Sequence, residues 1–73
     1  MSFKFQKGDR VQWHHRGRPI RGFIVEELTA PHTIKGFTMM ASESKPRYLV
    51  RSETTGKEAV HRLEALMMLY DDV

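Results

Sequence analysis

No cysteine occurs among the 73 residues, which excludes disulfides, thiolate metal sites and cysteine nucleophiles outright. A domain this small without disulfides suits a reducing compartment, so a cytoplasmic location is expected. Long apolar runs are also missing. Met1-Ser2-Phe3-Lys4 carries no signal-peptide core, and no stretch approaches the ~18 apolar residues of a membrane span, so no membrane partner is expected. The five glycines are scattered through turns instead of forming a phosphate-cradling loop. Ser42, Ser44 and Ser52 have no histidine at a suggestive spacing, Glu26 and Glu27 alternate across a strand, and Glu43 sits in a polar loop. Neither an activated nucleophile nor a pair of carboxylates in separated environments emerges. A non-enzymatic chain without a cofactor is expected. Acid, finally, is scarce at one end: Asp9 stands alone in the first 21 residues against Lys4, Lys7, Arg10, Arg16, Arg18 and Arg21.

What is present fits one domain, residues 1–73, with a core at about 7–69 and short tails. A chain of this size buries only roughly 60–65% of the surface its unfolded form exposes. The formal charge of +3 is moderate, and by itself it does not establish a nucleic-acid partner. Its distribution makes the N-terminal segment the positive pole.

Residues 9–14 alternate, with Val11 and Trp13 on one face and Arg10, Gln12 and His14 on the other. The segment Arg16-Gly17-Arg18-Pro19 predicts a turn, after which residues 20–28 form a second strand with Gly22 and Ile24 inward and Arg21, Phe23 and Val25 outward. Glycine at position 22 suits a barrel corner, where the backbone bends sharply. Residues 29–45 are too long for an ordinary connection and predict a short strand or a folded-over arm around 33–41. Arg47–Ser52 is the clearest strand, with Tyr48 and Val50 inward and Arg47, Leu49 and Arg51 outward. A turn at Thr54-Thr55-Gly56-Lys57 leads into a strand at 58–61. A helical turn at 62–66 then precedes a last strand at 67–69. The fold class is all-β: a small SH3-like barrel of about five antiparallel strands with one helical turn before the last.

Three phrases carry a family likeness. They are Thr33-Ile34-Lys35-Gly36-Phe37-Thr38 with Ala41-Ser42; Pro46-Arg47-Tyr48-Leu49-Val50; and Thr55-Gly56-Lys57-Glu58-Ala59-Val60-His61 followed by Glu64-Ala65-Leu66. The chain resembles, over about residues 3–69, a small bacterial family named after a hypervirulence-associated protein and described as a Tudor-like domain. The resemblance implies a Tudor-type barrel in a bacterial binding protein and supplies no binding residues. The sequence departs from the family pattern at Phe37, where histidine is common, and at Leu63, where proline is usual.

The candidate sites follow from parity. Trp13 shares a face with Val11 and Tyr48 with Val50, so both rings are expected to fill the barrel rather than cage a methylated cation. Phe23 and Phe37 are expected at the surface. Arg16, Arg18, Arg21, Phe23, Arg47 and Arg51 form the candidate nucleic-acid surface, arginines taking phosphates and the ring stacking on a base. The competing readings are a solvated charged face, on which Glu27 and Glu53 also sit, and an acidic protein partner. Arg16-Gly17-Arg18-Pro19 resembles the core of an AT-hook, although a turn recruits the same glycine and proline for backbone reasons. Phe37 and Met40 in the long loop, together with an open edge on the last strand, are the candidate protein or peptide contact, compatible with a monomer or weak homodimer. In each of Met39-Met40 and Met67-Met68 one side chain should enter the core, with Met40 or Met68 outside. His14 and His15 point to opposite faces of a strand, and His32 and His61 lie in separate segments, so no metal is expected. His61 is expected to be partly buried at the barrel rim.

Overall fold

In the computed structural model, which describes residues 5–69, the alternating segments become β1 (Arg10–His15), β2 (Arg18–Leu28), β5 (Arg47–Ser52) and β6 (Glu58–Arg62). The long connection holds β3 (His32–Ile34) and β4 (Phe37–Met39). A 3-10 turn at Leu63–Ala65 precedes the two-residue β7 (Met67–Met68). Five strands form one antiparallel sheet in the order β6-β5-β2-β1-β7, while β3 and β4 make a separate two-stranded arm. This is the expected small all-β barrel-like fold, with the helical turn where the sequence puts it. The predicted tail at 71–73 lies outside the described residues.

Two hairpins are closed the same way. Arg16 (φ 53°) and Gly17 (φ 78°) join β1 to β2, and Lys35 (φ 50°) and Gly36 (φ 83°) join β3 to β4. Two consecutive left-handed residues make the turn whose twist matches the flanking strands. The first turn is therefore shorter than the expected Arg16–Pro19. Pro19 lies within β2, opposite His14. It is tolerated there because its nitrogen faces away from β1, on an edge that β5 reaches only from Gly22 onward.

Curvature comes from two devices in β2. At Gly22 the backbone of β5 comes so near that an added Cβ would stand 1.9 Å from the Arg51 carbonyl oxygen and 2.8 Å from Cη2 of Trp13. Only glycine fits. Then the register against β5 slips between Ile24, opposite Val50, and Glu26, opposite Leu49. Val25 is the extra residue of a bulge, and every residue after it changes face. Glu27 therefore points inward, where its Oε2 accepts a 3.3 Å hydrogen bond from the Tyr48 hydroxyl, and it does not share a face with Glu53 as its spacing suggested.

The core gathers Phe5, Val11, Trp13, Ile24, Tyr48, Val50 and Leu66, with Ile20, Ala59, Leu63 and Met68 packed against it. Phe5, ahead of the expected core, meets Tyr48 edge-on at 5.4 Å and 87°, an arrangement favoured by the quadrupoles of the two rings. Burial holds the Tyr48 phenol above its ordinary pKa, and the Glu27 carboxylate adds to the rise. Two expectations need correction. Leu49 faces outward by parity yet is buried, as is Leu28, which lies opposite Arg47 on the same side. The outward member of the second methionine pair is Met67, 58% exposed, because Met68 pairs with Val11 and packs against the core. Met40 is the exposed member of the first pair, as expected. Both β6 and β7 are edges of the sheet, and β7 offers only two residues of backbone.

Candidate nucleic-acid interface

The outer face of the sheet is built in rows. Arg10 lies opposite Phe23, Phe23 opposite Arg51, and Arg51 opposite Glu58. Phe23 is thus flanked by two arginines on neighbouring strands and stays 42% exposed, since the inner side of that strand is already filled by Ile24. In the next row Arg21 lies opposite Gln12 and donates from Nε to its Oε1 at 3.2 Å.

Part of this charge is answered from within. Arg10 clamps Glu53 through Nε at 3.2 Å and Nη2 at 2.9 Å, and Arg51 reaches Glu58 at 2.9 Å. The Arg10 hydrogen bond is the main reason the Glu53 carboxyl is held below its ordinary pKa. Among the described residues Arg16, Arg18, Arg21 and Arg47 have no carboxylate within ion-pair distance.

The six sequence candidates do not share one surface. Arg21, Phe23 and Arg51 stand together on the outer face, while Arg16 is at the hairpin tip, five residues along the hairpin from Arg21. Arg47 shares the outer side, but it lies four residues, roughly 13 Å, along β5 from Arg51. The covered Leu49 lies between them. Arg18 falls on the other side: it alternates with Ile20, Gly22 and Ile24, which face inward. Phe37 and Met40 are 75% and 65% exposed on and next to the β3–β4 arm, away from all of these in sequence and sheet.

Two features escaped the sequence reading. Arg62 lies directly opposite Arg47, setting two like charges side by side across β5 and β6. Counting outward from the Thr54–Lys57 turn would have found it. The second is a groove of about 920 Å³ on the inner side. The β1–β2 hairpin continues past the last β2–β5 pair, Gly22 with Ser52, while β5 turns back toward β6. The overhang presents Trp13, His15, Arg18 and Ile20 to the β5–β6 turn, with Lys57 and His61 on the far wall. His61 rests on Trp13 at 5.6 Å and 39°. Burial, and then the nearby charge of His15, push its imidazole below the ordinary histidine pKa. Among the described residues no three His, Cys, Asp or Glu side chains cluster closely enough to hold a metal ion. Among the described residues no helix is long and apolar enough to cross a membrane.

Residues 8–66 match the family profile described as the TUDOR domain of hypervirulence associated proteins. No curated protein and no solved structure matches the chain.

Proposed function

The chain belongs to this Tudor-domain family, which makes it a small binding module, and we propose that its target is single-stranded nucleic acid, held along the outer face of β1, β2 and β5. One observation carries this reading: Arg10, Phe23 and Arg51 occupy a single row across three strands, with an exposed ring at the central position and an arginine on each side. A flat ring on a pleated face stacks on an unpaired base without needing a particular sequence, while cations beside it track the phosphates. Among the described residues Arg21 and Arg16 form no ion pair, although Glu53 lies near enough to feel the charge of Arg21. Arg10 is oriented by Glu53 and Arg51 by Glu58, and a guanidinium has five N–H donors, so Arg51 keeps donors beyond the one its carboxylate takes. The protein acts by binding, without catalysis.

The test is an NMR titration of labelled protein with a short oligothymidylate at low and physiological salt. Saturable shifts centred on residues 10–23 and 51, weakening as salt rises, support the reading. Unchanged spectra at low salt refute it.

A second reading has its own observation. The β3–β4 arm stands outside the main sheet and exposes Phe37 and Met40, a combination suited to a protein or peptide contact. That contact would tolerate salt, and Phe37→Ala would abolish it while Arg21→Ala would not.

A further inference from the structure

We propose that the groove under the β1–β2 overhang is a subsite for a terminal phosphate, seating the phosphorylated end of the strand whose bases lie on the outer face. The inference rests on the nucleic-acid reading above and adds a second site to it. The argument begins with charge. Into the groove β1 sends His15, β2 sends Arg18 and Arg21, the β5–β6 turn sends Glu53 and Lys57, and β6 contributes Glu58 and His61. Both carboxylates are already engaged by outer-face arginines, Glu53 by Arg10 and Glu58 by Arg51. Among the described residues Arg18 and Lys57 have no carboxylate partner, and they stand on opposite walls. The recess therefore holds more cationic donors than its two engaged carboxylates answer.

Shape selects the kind of anion. The groove is a recess between a projecting hairpin and a turn, floored by Trp13, Ile20 and Ala59, so a compact end-group suits it better than a strand passing through. A terminal phosphate monoester carries about −1.5 to −2 charge near neutrality with a second pKa near 6, whereas a bridging phosphodiester carries one. His15 and His61 line the same recess and add imidazole nitrogens that can hydrogen-bond a phosphate oxygen. The hairpin joins the two sites: Arg18 faces the groove, Arg21 lies at its rim and reaches Gln12 on the outer face, Phe23 faces the other way, and Arg16 sits at the tip around which a strand would turn.

The experiment compares a 5′-phosphorylated oligothymidylate with its 5′-hydroxyl twin, titrated into the full chain near neutral pH. The phosphorylated strand is expected to bind ~10-fold tighter, the size of one good charge-assisted contact, and to shift the His15 and His61 imidazole resonances. Arg18→Ala with Lys57→Ala should erase the difference and leave the twin's affinity unchanged. Equal binding of the two strands, with shifts confined to the region of Phe23, overturns the subsite and leaves the outer-face reading standing. Failure of both strands to bind overturns both. Groove shifts produced by an acidic peptide and not by the phosphorylated strand overturn the phosphate assignment.

Discussion

The imidazole of His61 lies 5.6 Å from the indole of Trp13, centre to centre, although the two residues come from strands that are not neighbours in the sheet. This contact marks where the sheet curls far enough for β6 to meet β1. Because burial lowers the His61 pKa in the folded chain, the unfolded chain binds its proton more readily. The resulting stability is fully present above the ordinary histidine value of about 6.5 and is lost as pH falls through the depressed one. Urea midpoints measured from pH 8 to pH 5 should decline over that window. In His61→Gln the decline should be shallower.

Gly22 tests the curl from the backbone side. Gly22→Ala would drive a methyl group into the Arg51 carbonyl and Trp13, where neither β5 nor the buried indole has room to retreat. A loss of roughly 3 kcal/mol is expected, a large share of the stability of a domain this size. Thermal unfolding followed by tryptophan fluorescence would read it directly. An unchanged Tm would mean that the sheet is not bent there.

Arg16 occupies a left-handed conformation that asparagine or glycine adopts at lower cost. Arg16→Asn should therefore stabilise the fold by about 0.5–1 kcal/mol and, at the same time, weaken oligonucleotide binding and flatten its salt dependence. A variant that gains stability without losing affinity would remove Arg16 from the interface.

Phe23→Ala should leave stability nearly unchanged, since the ring is substantially exposed, and weaken strand binding by about 1–3 kcal/mol. Arg21→Ala should instead lower affinity for every sequence alike and reduce the slope of log K against log salt by about one unit. Fluorescence anisotropy at several salt concentrations separates the two behaviours.

Parity carried most of the fold. Val11, Trp13, Ile24, Tyr48 and Val50 fall on the inward side by alternation, and all five are buried. It failed at Leu49 because alternation tells which side a residue is on, not whether that side is covered. It failed at Glu27 because a bulge leaves no mark on composition: Val25 is an ordinary strand residue, and its doubling against β5 follows from pairing. The candidate surface was legible as a set of arginines but not as two sides. Arg18 and Arg21 are three residues apart, and an odd spacing along a strand sends them to opposite faces.

The bulge at Val25 makes the electrostatic character of this small protein a matter of phase. Upstream of it, odd-numbered residues of β2 meet solvent; downstream, even-numbered ones share that side, so Leu28 takes the position that Glu27 would hold in an unbroken strand. Pairing Val25 with Leu49 in an unbulged register would carry Glu27 opposite Arg47 and turn Leu28 to the side of Tyr48, changing what the surface attracts without altering a single charged residue; deleting Val25 would not, because Glu26, Glu27 and Leu28 would keep the partners they already have.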